Sequence, residues 1–128
     1  MIDVANVMGA RADGWWRDRA GAALRLCREV TALARRGGGP AAVPSAGSWV
    51  LVLEGRARDA AAQLEDESPL VRVVSAPGSG DDAIVGVAAE VVARDETCLV
   101  VTADRELRRR CEELNASVAG PAWLLRLL

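Results

Sequence analysis

The chain has 128 residues, 51% apolar and 27% charged, with a formal net charge of −2. It is long enough for one sizeable core and fits a single domain over 1–128, and the composition excludes both disorder and a globally basic nucleic-acid binder. There is no His, and the three Cys stand far apart, which removes Ser-His-Asp and Cys-His catalysis and argues against zinc sites and a disulfide framework.

In chain order, Ile2-Asp3-Val4 reads as the end of a very short strand, and Ala5 to Asp18 as a loop holding Gly9, Gly14, Trp15 and Trp16. From Arg19 the pattern turns helical, with Ala23, Cys27, Val30 and Ala34 along one face. Gly37-Gly-Gly-Pro40 stops that helix, and a Pro/Ser/Gly linker follows. Trp49 to Leu53 is a continuous apolar run of strand length, suited to a strand covered on both faces. A short Ala-rich helix from Arg58 to Leu64 and an acidic turn at Glu65-Asp-Glu67 lead to a strand at Val71 to Val74. After a Gly-bearing loop, Ser75 to Asp82, a helix runs from about Asp82 to Arg94. Its β-branched residues would suit a strand, but its length decides for helix. Cys98 to Thr102 is a buried strand, Arg105 to Leu114 an amphipathic helix, Ser117 to Ala119 a last strand and Pro121 to Leu128 a closing helix.

Alternating strands and helices joined by short loops specify a doubly wound α/β sheet with right-handed crossovers. Ligands of such sheets bind beyond the carboxyl ends of the strands. That rule selects Asp3, Glu54, the loop from Ser75 to Asp82, and Asp104. Carboxylates about 5 Å apart repel by roughly 3 kcal/mol per pair at an effective dielectric of about 20. Protons or a cation must relieve this. All-oxygen ligands favour a hard ion, Mg²⁺ or Mn²⁺, which can activate water against a phosphodiester. Asn6 stands where it could position a ligand or a water.

Capping is the competing explanation. Asp81 or Asp82 could cap the helix they open, Ser79 with Asp82 has capping-box spacing, and Asp104 could cap the helix at Arg105. Capping leaves Asp3 unexplained, because no helix is expected immediately after it. Glu54 is equally well a solvated strand end. Other phosphate chemistry is excluded: the P-loop pattern is missing and the chain has no Lys. An Asp-nucleophile phosphatase needs a second Asp where Ala5 stands, and a receiver domain needs paired early acids and a late Lys.

Between Arg11 and Arg36 seven Arg face three acids, a local excess of four positive charges that is either a phosphate-attracting face or an ordinary solvated one. Trp15 and Trp16, beside Arg11, Arg17 and Arg19, either stack bases of single-stranded nucleic acid or pack over the sheet edge. No apolar run approaches the ~20 residues of a membrane span. The N-terminus lacks a signal-peptide pattern, so a cytoplasmic protein is expected.

Ile2-Asp3-Val4-Ala5-Asn6-Val7, Gly80-Asp81-Asp82-Ala83-Ile84-Val85 and Val101-Thr102-Ala103-Asp104-Arg105-Glu106-Leu107 together resemble the PIN-like nuclease superfamily, closest to its bacterial NYN-type branch. The resemblance runs from Ile2 to about Trp123. It implies a three-layer α/β/α Rossmann-like fold with a five-stranded, mainly parallel sheet in the order 3-2-1-4-5. It also implies a Mg²⁺- or Mn²⁺-dependent ribonuclease in which Asp3, Asp104 and either or both of Asp81 and Asp82 serve catalysis and hold metal, with Asn6, Glu54 and Ser79 supporting. RNA is the expected partner, Arg105 joins Arg11, Trp15, Trp16, Arg17 and Arg19 as an expected contact, and a homodimer is a candidate assembly. The other reading is a non-catalytic RNA-binding or protein-interaction domain on the same scaffold.

Overall fold

Ile2–Asp3 forms the first strand, β1, with both residues buried. The structure, a computed structural model, describes residues 1–37, 48–64 and 68–128. Next come α1 (Val4–Gly9), a 3-10 turn (Trp15–Arg17), α2 (Arg19–Arg35) and β2 (Trp49–Leu53). A 3-10 segment (Gly55–Ala60) then runs into α3 (Ala61–Leu64), followed by β3 (Val71–Ser75) and α4 (Gly80–Ala93). The rest is β4 (Leu99–Val101), α5 (Arg105–Glu113), β5 (Ser117–Ala119) and α6 (Pro121–Leu125).

The strands form one five-stranded sheet in the order β3-β2-β1-β4-β5, and every pairing is parallel. Helices cover both faces, as β2 shows residue by residue. Trp49, Leu51 and Leu53 enter one core with α1, α2 and α6. Val50 and Val52 enter the other with Ile84, Val87 and Ala88 of α4 and Leu107 and Cys111 of α5. Side chains alternate across a strand, so an uninterrupted apolar run feeds two cores at once. The fold is α/β, of the three-layer Rossmann-like kind.

The short central strand is held from both sides. Ile2 pairs with Leu51 and with Val101, and Asp3 with Val52. Met1 extends the ladder: its amine donates to the Leu99 carbonyl at 2.7 Å and its carbonyl accepts from Val101 N at 2.9 Å. Backbone hydrogen bonds thus offset what the strand lacks in length.

Several elements differ from the sequence expectation, the closing helix among them, since α6 ends at Leu125 and not at Leu128. Val4–Gly9 is helical, not loop, and Val4, Val7 and Met8 form its buried stripe. The chain therefore turns into helix directly after Asp3. The helix expected from Arg58 begins as 3-10 structure at Gly55, and α4 starts at Gly80 instead of Asp82. The expected Gly37-to-Pro40 stop beyond Gly37, most of the linker after it and the turn at residues 65–67 lie outside the described residues.

Candidate functional site

Every strand of a parallel sheet ends at the same edge, and four carboxylates follow those ends here. Asp3 closes β1, Glu54 follows β2, Asp81 lies in the first turn of α4 after β3, and Asp104 precedes α5 after β4.

Asp3 is 7% exposed. Its Oδ1 accepts the Asn6 backbone N–H at 3.3 Å, making it the N-cap of α1. Capping thus does account for Asp3, contrary to the sequence expectation. Its Oδ2 accepts the Thr102 hydroxyl at 2.9 Å. Burial pushes the Asp3 carboxyl up to about 6, opposed by these two hydrogen bonds and reinforced by the charges of Asp81 and Glu54.

Thr102 joins the first acid to the last. Fully buried, it donates to Asp3 while its Oγ1 accepts from Asp104 N at 3.2 Å. Asp104 caps α5 through Oδ1, which accepts from Leu107 N at 2.9 Å. Asn6 fastens the same loop, its Oδ1 accepting from Ala103 N at 2.8 Å. Thr102 was not singled out in the sequence. The available signal was a hydroxyl in an otherwise apolar buried strand, which must find a partner.

Ser79 caps α4, its Oγ accepting from Asp81 N at 3.2 Å. The adjacent carboxylates then part company. Asp82 is exposed and pairs with Arg110 at 3.0 Å. Asp81 is half-buried, and among the described residues its carboxylate accepts no hydrogen bond. Burial first, then the charges of Asp104 and Glu54, raise its carboxyl above the ordinary range, with Arg110 opposing. Of the pair, the structure brings Asp81 to the acidic edge and sends Asp82 to Arg110. Glu54 reaches the same helix: its Oε2 accepts from Gly80 N at 2.5 Å. That approach requires glycine, because a Cβ on Gly80 would sit 2.4 Å from Glu54 Oε2.

The donors are of the right kind for a hard cation, all oxygen, in a chain without His. They do not form a closed cage. Among the described residues no group of three His, Cys, Asp or Glu side chains could hold a metal ion. The expected convergence of three acids on one ion is therefore not preassembled. Mg²⁺ does not demand that, since it is commonly held by one or two carboxylates together with waters and substrate phosphates.

The cationic residues divide. Arg11 forms a salt bridge with Glu29 at 2.5 Å. Trp15 packs partly buried against the core of α1 and α2. Trp16 is 57% exposed and meets Trp15 edge to face, with centroids 6.0 Å apart and planes at 88°. The Arg17 guanidinium lies 5.9 Å from the Trp16 ring, and that of Arg19 lies 5.5 Å from Trp15. Arg105 is exposed on α5, beside a shallow surface depression of about 500 Å³ that it shares with Arg108, Arg109, Glu112 and Glu113. None of the edge carboxylates lines that depression. Among the described residues no helix is long and apolar enough to cross a membrane. No protein-family model matches the chain, and no curated protein or solved structure matches it significantly.

Proposed function

We propose that the acidic edge is the site of a divalent-metal-dependent ribonuclease that hydrolyses RNA phosphodiester bonds. The observation that carries this reading is costly crowding. Carboxylates from separate elements share one edge, and burial and mutual charge hold Asp3 and Asp81 above the ordinary carboxylate range. Perturbed acids of this kind concentrate at functional sites. Asp3, Asp81 and Asp104 would hold Mg²⁺ or Mn²⁺, with Glu54 beside them. When bound, such an ion supplies water activation and neutralises charge on the phosphodiester.

The chain's own groups have separate tasks. Asp3 carries a proton below about pH 6 and offers its anionic form above it. Thr102 orients Asp3 Oδ2 and steadies the backbone at Asp104. Asn6 holds that loop against α1. Asp81, whose carboxylate accepts no hydrogen bond among the described residues, is the acid able to turn toward a ligand. In this reading RNA is the partner and the cytoplasm the compartment.

A second reading, a non-catalytic RNA-binding or protein-interaction domain, has its own observation. Asp3, Glu54 and Asp104 each satisfy a backbone N–H at a helix start. Asp81→Asn separates the two, because it removes a charge without removing a cap. The ribonuclease reading expects Mn²⁺ to raise the melting temperature of the wild type and to support cleavage of single-stranded RNA. Both effects should be lost in Asp81→Asn. Intact RNA and an unmoved melting temperature with metal-supplemented wild type would favour the second reading.

A further inference from the structure

We propose that Trp16, flanked by Arg17 and Arg19, is a stacking platform for an unpaired base of a single-stranded nucleic acid whose backbone leads toward the acidic edge. The inference deepens the ribonuclease reading and rests on it for the choice of ligand.

The platform is built by the turn. Gly14, at φ 74°, opens the 3-10 turn that contains both indoles. Consecutive residues of a 3-10 turn point about 120° apart, so Trp15 and Trp16 cannot both face the core. Trp15 goes in, packing against the core with its Cζ2 4.0 Å from where a Cβ on Gly9 would stand. Trp16 is left in water, braced at right angles by Trp15. Arg17 and Arg19 lie against the two rings, and among the described residues neither forms a salt bridge. An exposed indole beside two guanidinium groups that have no carboxylate partner among the described residues matches the chemistry of a base and its phosphates.

Topology places this turn toward the acids. The 17 residues of α2 must carry the chain back to the amino end of β2, a helix of roughly 25 Å. Its first turn, next to Trp16, therefore lies toward the carboxyl edge of the sheet. A second copy of the chain is a poorer occupant. The other large apolar side chain exposed among the described residues is Leu70, immediately before β3 and so at the opposite, amino end. Two isolated side chains at opposite ends do not make the contiguous patch that a stable interface of about 1,600 Å² needs.

The test is fluorescence anisotropy of short, labelled single-stranded RNA and DNA and of a duplex of equal length, all in EDTA so that no cleavage intervenes. Expected is a loss of roughly 10-fold or more in single-strand affinity for Trp16→Ala, with most affinity kept in Trp16→Phe. Duplex binding should be weak and unchanged by either variant. Mn²⁺-supported cleavage by the wild type is assayed separately from this metal-free binding, so a failed ribonuclease reading and a failed platform give different results. Comparable RNA and DNA affinity supports recognition through base and phosphate. Unchanged affinity in folded Trp16→Ala overturns the proposal, as does an equal loss on duplex or a wild-type dimer that Trp16→Ala dissociates in sedimentation.

Discussion

Asp3→Asn should make the protein more stable while making it inactive. Burial raises the Asp3 carboxyl from 3.8 to about 6, and about two units correspond to about 3 kcal/mol. Because the native value lies above the unfolded one, the protonated form is favoured on folding. Its stabilisation is complete below about pH 4 and is lost as pH rises through 6. At pH 8 the native state therefore carries a buried, repelled carboxylate, which Asn does not. Asn keeps an oxygen for the Asn6 N–H, but its amide then meets Thr102 Oγ1, which already accepts from Asp104 N. That mismatch offsets about 1 kcal/mol, leaving a gain of about 2 kcal/mol at pH 8, or roughly 6–10 °C in melting temperature. Urea melts of both proteins from pH 4 to 8 measure this gap, which should close toward pH 4. Saturating Mn²⁺ at pH 8 should also narrow it, by stabilising the wild type alone. A variant no more stable than the wild type at pH 8, or a gap independent of pH, refutes the electrostatic reasoning.

Two further substitutions separate capping from chemistry. Asp104→Ala should cost about 1 kcal/mol through loss of the cap on Leu107 N. Asp104→Asn should melt within a few degrees of the wild type yet lose Mn²⁺-supported RNA cleavage. Gly80→Ala should cost about 1–2 kcal/mol, because its Cβ displaces the Glu54 carboxylate from Gly80 N. Denaturant melts in a Glu54→Ala background check the cause: an equal cost there would show that Glu54 plays no part.

Much of the fold is legible in local pattern. The helical faces of α2 and α5 were readable because Ala23, Cys27, Val30 and Ala34, and Leu107 and Cys111, recur at helical spacing and are buried as expected. β2 was readable because a strand covered on both faces needs no polar alternation. α1 is not legible in local pattern, although Val4, Val7 and Met8 carry its stripe, because six residues ending in Gly9 offer little periodicity. Without a helix after Asp3, local pattern assigns its carboxylate no structural task; with α1 in place it is that helix's N-cap.

The candidate site divides along the same line. Parallel strands terminate at one edge whatever their side chains, so the alternation of elements alone brought Asp3, Glu54, Asp81 and Asp104 to a common boundary. Local spacing could not choose between Asp81 and Asp82, since both open the same helix. Arg110, 28 residues further along the chain, draws Asp82 outward. Nor could it assign Thr102, whose bond to Asp3 spans 99 residues, or Glu54, which reaches Gly80 across 26. Hydrophobic period is a property of neighbours in the chain and determines which segments become strand or helix. The partner of each buried carboxylate depends on which distant segments pack beside it, and only the tertiary structure decides that.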